Sequence, residues 1–169
     1  MVLGRGDILR LLRANPPVVE GLLDTEQQLQ PNGIDLTLKE IASFSSAGGV
    51  GYGNEVRTLS RSSALALDSP EGIHLPPGCY LLTYNEIVHL PRNIICLASP
   101  RSSLLRCGVS VHTAVWDAGY SGRSQSLLVV HNPNGFRLYS NARLIQLVFL
   151  RVRRGVKQGY QGIFQGEGI

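Results

Sequence analysis

The sequence predicts a mainly β protein, a sandwich or a barrel, that carries one short helix near its amino terminus. Two observations support this prediction. One early segment places apolar residues at helical spacing. The rest of the chain contains short runs rich in Val, Ile, Leu and Tyr, separated by Pro, Gly or Asn, which is the pattern of strands joined by turns.

The helix is predicted within GDILRLLRAN, residues 6–15. Asp7 is placed to cap its amino terminus, and Pro16 and Pro17 end it because proline cannot continue a helix. The apolar side chains that share one face of this helix are Ile8, Leu9, Leu11 and Leu12.

Five later segments are predicted to be strands. The first, IDLTL at 34–38, alternates apolar and polar residues, as a strand does. The glycine-rich segment SSAGGVGYGN, residues 45–54, interrupts this series and is predicted to be a flexible loop. The other four predicted strands are CYLLTY at 79–84, NIICLA at 93–98, SLLVV at 126–130 and RLIQLVFLRV at 143–152.

One domain, residues 1–169, is expected, because the chain length and the hydrophobic content of 43% suit a single core. No repeat or linker divides the sequence. No apolar run is long enough to cross a bilayer, and the charged amino terminus does not have the pattern of a secretion signal. We therefore expect a cytoplasmic protein without a membrane partner.

A metal held by protein side chains is not expected. The three cysteines, Cys79, Cys96 and Cys107, are odd in number and far apart, which predicts reduced, buried thiols rather than disulfides or a zinc site. The remaining candidate ligands are isolated histidines without ligand spacing, namely His74, His89 and His131.

The charges are divided unequally along the chain. Residues 1–100 contain 7 basic and 10 acidic residues, whereas residues 101–169 contain 9 basic residues and only two acidic ones, Asp117 and Glu167. The second part therefore predicts an anionic partner. Nucleic acid is not expected, because there is no lysine-rich run or groove-reading motif and the aromatic residues do not interleave with the basic ones. A small polyphosphate fits better.

The most informative stretch is SPRSSLLRCGVSVHTAVWDAGYSGRSQ, residues 99–125. Arg101 and Arg106 supply two guanidinium groups, and Ser102 and Ser103 supply two hydroxyls, a set that suits phosphate oxygens. Taken alone, Arg-Ser-Ser is more often a capped turn than a phosphate site. Asp117 is the single carboxylate of this otherwise basic stretch.

Five segments, in this order, resemble the five motifs of the dUTPase and dCTP deaminase superfamily. The preceding GDILRLL resembles its opening helix, and LPPGCYLLTYNEIVHLP resembles its Pro-Gly turn with the strand pair that follows. Five motifs in sequence order are far more specific than any one of them. The five segments are LQPNGIDLTL, SPRSSLLRCGV, WDAGYSG, NARLIQLVF and GYQGIFQGEG.

The resemblance implies a β-roll, or distorted barrel, assembled as a homotrimer with active sites where subunits meet. It implies a deoxynucleoside triphosphate substrate and a mobile carboxy-terminal lid at residues 159–169. Mg²⁺ would be bound mainly through the substrate phosphates. Asp35 would support a site arginine, with Arg101 as its partner. The substrate-binding residues carried over from the motifs are Arg101, Ser102, Ser103, Arg106, Tyr120, Gln146 and Gln165.

Within the superfamily, the residues favour dUTP hydrolysis to dUMP and pyrophosphate. Asp117 matches the general base that activates water for attack on the α-phosphorus, and Tyr120 matches the ring that stacks on deoxyribose. The deaminases carry a glutamate on the next strand, but residues 123–132 contain no carboxylate.

Two alternatives remain open. One is a dCTP deaminase or a bifunctional enzyme, with Gln125 or a distant residue in place of that glutamate. The other is a nucleotide-binding module without catalysis. His112 and Trp116 lie in the same hairpin as Asp117, and each is expected either to contact the pyrimidine or to have a purely structural place.

Overall fold

The computed structural model describes residues 1–67 and 69–169, and in these ranges the protein is mainly β, which confirms the predicted fold class. Helices are few and short. They are α1 (Arg5–Leu12), α2 (Thr25–Gln28), α3 (Ser102–Arg106) and a 3-10 turn at Asn54–Val56. The strands are β1 (Val19–Glu20), β2 (Leu29–Gln30), β3 (Gly33–Phe44), β4 (Ser62–Ala64), β5 (Ile73–Leu75), β6 (Gly78–Tyr84), β7 (Ile87–His89), β8 (Ile94–Pro100), β9 (Val109–His112), β10 (Ser121–Gly122), β11 (Gln125–Val130), β12 (Phe136–Leu138) and β13 (Arg143–Arg151).

The main sheet has eight strands and follows the order β8-β13-β3-β6-β11-β9, with β2 and β4 also paired to β3. Every pairing is antiparallel. The two ends of this order, β8 and β9, approach each other. The chain beyond β9 also bridges back to β8, where Trp116 pairs with Cys96. The sheet is therefore a nearly closed barrel.

Two small sheets complete the fold, β1-β7-β10 and β12-β5. In the first, Ser121 pairs with His89 and Gly122 pairs with Val88. This pairing fixes the segment that follows Asp117 against β7. The segment predicted as a loop, residues 45–54, contains no strand, although Gly49 makes an isolated bridge to Thr58.

Strand β3 is buried on both faces over residues 33–38. The alternation in IDLTL therefore does not mark one solvent-facing side, and the strands β2, β6 and β13 pair along the edges of β3. Asp35 and Thr37 are each only 2% exposed. Their burial removes polar groups from water, so these groups need partners within the protein. The largest fully buried side chains include Tyr84, Phe149, Leu3, Ile8, Ile34 and Leu36.

The predicted helix is present, but the predicted cap is wrong. Helix α1 begins at Arg5, after Gly4, and no side chain caps it. The Arg5 N–H donates to the carbonyl of Pro31 at 2.9 Å, so a main-chain contact fixes the start two residues before Asp7. Asp7 instead pairs with Arg10 at 3.2 Å.

The cysteines are all unpaired, as predicted, but only Cys96 is buried. Cys79 and Cys107 are exposed, so the expectation of buried thiols is wrong for these two. Within the described ranges, no helix is both long and apolar enough to span a bilayer.

Candidate active site

The first half of the candidate site, which we call the arginine site, surrounds Asp35 on β3. Asp35 Oδ2 lies 3.2 Å from Arg101 Nε and 3.6 Å from Arg143 Nη1. The Asp35 side chain is 2% exposed, whereas the two guanidinium groups are about one-third exposed, at 34% and 30%. A buried carboxylate thus holds two partly exposed cations at the surface.

Burial raises the pKa of Asp35, and the nearby Arg101 and Arg143 guanidiniums oppose that rise. Gln30 Nε2 also donates to Asp35 Oδ2 at 3.3 Å. The partners of a buried carboxylate orient it, and it orients them in turn. Arg143 was not singled out from the sequence, although it lies in the segment that resembles the fourth motif.

Strand register brings Gln146 to this place. Gln146 on β13 lies directly opposite Asp35 on β3 and opposite Ser99 on β8. The strands approach closely at Gly33, where an added Cβ would lie 2.2 Å from the Leu147 carbonyl oxygen and 2.9 Å from Gln146 Cγ. Only glycine fits there, so Gly33 permits the packing that positions Gln146.

Helix α3, which was not predicted, displays the rest of the Arg-Ser-Ser motif. The Arg101 N–H donates to the Leu144 carbonyl at 2.9 Å and anchors the start of this helix to β13. Ser102, Ser103 and Arg106 follow on α3 and are exposed. Their hydroxyl and guanidinium groups are therefore accessible next to Arg101.

The second half, which we call the aromatic cleft, is a cavity of about 660 Å³ on another part of the barrel. Two carboxylates, Asp117 and Glu167, line it, and none of its described lining residues is Arg, Lys or His. Its aromatic lining residues are Phe44, Trp116, Tyr120, Tyr160 and Phe164.

Asp117 sits in the connection between β9 and β10, in a turn closed by the Tyr120 N–H, which donates to the Asp117 carbonyl at 3.0 Å. Before it, Trp116 is paired to Cys96 of β8. Asp117 is exposed, and its carboxylate makes no hydrogen bond or ion pair within the described chain. It is thus positioned by main-chain contacts while its oxygens remain available.

The carboxy-terminal tail, residues 159–169, lies along the segment 118–123 of the same chain. The Tyr160 N–H donates to Ala118 O, the Gly166 N–H donates to Ser121 O and the Arg123 N–H donates to Glu167 O, at 2.8–2.9 Å. Gly119 has a φ of +86°, and an added Cβ would lie 2.6 Å from Gly159 Cα. This close approach requires glycine.

Side chains of the tail add two contacts. Gln165 Oε1 accepts from the Ser121 N–H at 3.1 Å, and Gln165 Nε2 donates to Gly119 O at 3.1 Å. In this docked arrangement Gln165 binds main chain. Tyr120 Oη donates to Glu167 Oε1 at 2.9 Å, and the Tyr120 ring packs edge-on against Tyr160 with centroids 5.7 Å apart.

Glu167 is a cleft residue to which the sequence analysis assigned no role. Burial raises the pKa of Glu167, and the hydrogen bond from Tyr120 opposes that rise. Burial and the neighbouring Glu167 carboxylate also raise the pKa of Tyr120. The cleft therefore contains two carboxylates in different environments, one exposed and one held by a phenol.

Within this one chain the two halves are separate. Asp117 and Tyr120 line the aromatic cleft, as does Gln125, whereas Arg101 and Gln146 do not. Ser102, Ser103 and Arg106 are likewise outside it. His112 is exposed, lies near Ser110 Oγ at 3.1 Å and is also absent from the cleft wall. Trp116 is 4% exposed and forms part of that wall.

The fold of this chain, a nearly closed β barrel, is shared with a solved structure. One solved structure with the same fold, a 2'-deoxycytidine 5'-triphosphate deaminase from Agrobacterium tumefaciens, matches 89% of this chain with a TM-score of 0.67 and 24% identity. This chain spans 46% of the length of that one. At this identity the likeness shows a shared fold.

Sequence comparison gives the family. A family model described as dCTP deaminase-like matches residues 2–152, so the chain belongs to the dCTP deaminase-like family and the predicted resemblance is confirmed. A protein from Methanosarcina mazei, named probable deoxyuridine 5'-triphosphate nucleotidohydrolase, is 48% identical over 98% of this chain and 97% of its own length. The deoxyuridine 5'-triphosphate nucleotidohydrolase of Methanocaldococcus jannaschii is 37% identical over 83% of this chain and 89% of its own.

Proposed function

We propose that this protein hydrolyses dUTP to dUMP and pyrophosphate. The observation that carries the proposal is the state of Asp117, an exposed carboxylate that lines the aromatic cleft and has no side-chain partner among the described residues. Such a carboxylate can accept a proton from water, as a general base must. The names of full-length relatives at 37–48% identity support the same activity.

The chemistry divides between the two halves of the site. The aromatic cleft would take the uracil and deoxyribose, with Tyr120 against the sugar. Arg101, Arg106, Ser102 and Ser103 would bind the phosphates through charge-assisted and hydroxyl hydrogen bonds, with Gln146 beside them. Asp117 would take a proton from the water that attacks the α-phosphorus, and the guanidinium groups would stabilise the charge that develops on the departing pyrophosphate.

A magnesium ion would be bound mainly by the phosphate oxygens of the substrate. Among the described residues there is no group of three or more His, Cys, Asp or Glu side chains that would form a cage for a metal. Mg²⁺ commonly binds through one or two carboxylates together with substrate phosphates. When bound, it would neutralise charge on the phosphate oxygens.

A homotrimer would bring the aromatic cleft of one subunit and the arginine site of a neighbouring subunit to the same substrate molecule. The cleft residues and the arginine site lie apart in one chain, so a nucleotide in the cleft would meet the arginines of a neighbouring subunit. Closed cyclic assemblies repeat such a shared contact identically. The tail, residues 159–169, would be a lid, since it lies along the cleft segment 118–123 and contributes Tyr160, Phe164 and Glu167 to the wall.

One observation favours a second activity. Strand β11 lacks the deaminase glutamate, but the tail brings Glu167 into the same cleft, where a carboxyl group would serve proton transfer at a cytosine ring. A bifunctional enzyme is therefore the second candidate.

The deciding experiment supplies the purified protein with dUTP or dCTP and Mg²⁺, and measures pyrophosphate and ammonia separately. Pyrophosphate from dUTP without ammonia from dCTP is the expected result. Ammonia from dCTP would establish deamination, and that product should then disappear in Glu167→Gln. Nucleotide binding without either product would favour a non-catalytic module and overturn the proposal.

A further inference from the structure

Two polar side chains in the wall of the aromatic cleft have no hydrogen-bond partner. Trp116 Nε1 and Ser124 Oγ are buried atoms, and neither meets a donor or acceptor in the described chain. Trp116 is 4% exposed and Ser124 is 6% exposed, and both residues line the cleft. Buried polar atoms are normally paired. Because both residues belong to the cleft wall, a ligand bound in the cleft can supply the missing partner.

The indole N–H is the polar group of Trp116 that is still able to bind a ligand. The Trp116 main chain is already paired, because its N–H donates to Cys96 O at 3.1 Å and its carbonyl accepts from the Cys96 N–H at 2.9 Å. These two bonds tie the residue to β8 and fix the indole next to Asp117. An indole N–H is a donor and cannot accept, so it can pair only with an acceptor.

We propose that Trp116 Nε1 donates to the 4-carbonyl oxygen of uracil and that Ser124 Oγ binds the neighbouring N3 position, so that Trp116 selects a 4-oxo pyrimidine over cytosine. This inference rests on the proposed dUTP hydrolysis. It adds a specificity-determining side chain to the cleft that also contains Asp117, whereas the phosphate ligands lie outside this cleft.

The orientation of the base follows from the separation of the two halves. The cleft wall contains no Arg, Lys or His among its described residues, so the triphosphate must stay outside it, near arginines. The nucleotide therefore enters with its base first. The ring edge that carries O4 and N3 is opposite the glycosidic nitrogen and therefore leads into the cleft, whose wall includes Trp116 and Ser124.

The discrimination follows from the direction of each hydrogen bond. Uracil presents an acceptor at position 4, whereas cytosine presents an amino group there. That amino group and the indole N–H are both donors, so they cannot form a hydrogen bond with each other. A hydroxyl differs, because Ser124 can accept from the N3–H of uracil or donate to the bare N3 of cytosine. Trp116 therefore selects between the two bases, and Ser124 strengthens the binding of either.

The single tryptophan of the chain allows a replacement that changes only the N–H. We suggest expressing the protein with β-(3-benzothienyl)alanine in place of tryptophan, since sulfur then replaces the N–H with little change in shape. Dissociation constants would be measured with Mg²⁺ for three α,β-imido nucleotides, carrying uracil, cytosine and 2-pyrimidinone. The last base has no substituent at position 4.

The replacement should weaken binding of the uracil nucleotide by about 3- to 10-fold, which is the usual effect of losing one neutral hydrogen bond. The cytosine and 2-pyrimidinone nucleotides should bind as well as before or better, so the preference for uracil should fall by at least the same factor, about 3- to 10-fold. Equal weakening of all three nucleotides would place the indole against a feature they share and overturn the inference. An unchanged preference for the uracil nucleotide would also overturn the inference.

Genetically encoded variants give a second test. Trp116→Phe should reproduce the loss of preference, and Ser124→Ala should weaken the uracil and cytosine nucleotides alike. Val115→Ala is the matched control, because Val115 lines the cleft without a polar side-chain atom and should leave the preference unchanged. If the parent protein hydrolyses dUTP while all these variants keep its preference, only this inference fails. If the parent does not hydrolyse dUTP, the proposed function fails first.

Discussion

The arginine site and the aromatic cleft are built in opposite ways. The arginine site is made from the paired strands β3, β8 and β13, and it surrounds one buried carboxylate with two cations. The aromatic cleft is made largely from a hairpin, a loop and the tail, and its described lining has two carboxylates and no cation. Neither half alone suits a nucleoside triphosphate, whose base is nearly neutral and whose phosphates are anionic.

The contrast extends to two aspartates. Asp35 is 2% exposed and engaged by Arg101, Arg143 and Gln30. Asp117 is exposed and has no side-chain partner among the described residues. An aspartate held by two guanidiniums is occupied in orienting them, whereas an unpaired one is free to accept a proton. The environment, rather than the residue type, thus assigns the two roles.

The largest effect is expected from Asp117→Asn. The amide keeps the size of the side chain and its capacity to accept a hydrogen bond, but it has no useful basicity. The catalytic constant for dUTP should fall by about 10²- to 10⁴-fold, with little change in nucleotide affinity. Single-turnover kinetics and a binding titration would measure the two separately.

Asp35→Asn is the matched control for that prediction. It should act mainly on the Michaelis constant and on stability, because it loosens Arg101 without removing the base. A near-parental rate in Asp117→Asn, or loss of nucleotide binding there, would show that Asp117 is not the base.

A smaller effect is expected from Arg101→Ala. Hydrogen bonds to charged groups contribute about 1.5–3 kcal/mol, so the affinity for a non-hydrolysable dUTP analogue should fall by about 10- to 100-fold. Arg13→Ala is a suitable control, since Arg13 is exposed on the surface. Unchanged affinity in Arg101→Ala would remove the arginine site from substrate binding.

The sequence predicted the barrel well because its signals are local. Short apolar runs between turn residues mark β6, β8, β11 and β13, and each is present. The start of α1 was misplaced because a distant carbonyl, that of Pro31, fixes it. Burial of both faces of β3 was missed for the same reason, since it depends on which strands come to lie around it.

The candidate site was predictable only in part. Motif resemblance named Arg101 and Asp117, but no spacing in the sequence indicates that they lie in separate halves of one chain. Arg143 joins Asp35 only through the β3–β13 register, and Glu167 enters the cleft only because the tail folds back over 118–123. The signal for Trp116, an unpaired indole N–H, exists only in three dimensions.

Mixed assemblies test whether the two halves combine between subunits. Asp117→Asn and Arg101→Ala proteins, unfolded and refolded together in equal amounts and assayed at a dUTP concentration far too low to saturate Arg101→Ala, should recover more activity than either has alone. In a random trimer with one base and one arginine taken from adjacent subunits, about a quarter of the sites would be intact, so about a quarter of the parental rate is expected.

Light scattering on each sample would check the trimer mass, and a mixture assembled without refolding is the control. A mixture no more active than its components would contradict a shared site. A monomer mass at micromolar concentration would contradict the trimer itself.

The smallest expected effect concerns the contact between Glu167 and Tyr120. Burial raises the pKa of Glu167 in the docked tail, so the docked state holds its proton more tightly than a free tail does. Docking should therefore be strongest below the ordinary pKa of 4.5 and weaken as the pH rises through the raised value. Because Glu167 is only partly buried, solvent screening should keep this change modest.

Hydrogen exchange at the Tyr160 and Gly166 amides, corrected for intrinsic rates, reports this docking because both donate to segment 118–123. Glu167→Gln keeps an acceptor for Tyr120 and cannot ionise, so its protection should not vary over the same pH interval. Tyr120→Phe should lower protection at every pH, because it removes the donor and leaves the carboxylate buried. Protection that rose with pH in the parent protein would mean that the ionised carboxylate, rather than the neutral one, holds the tail on the cleft.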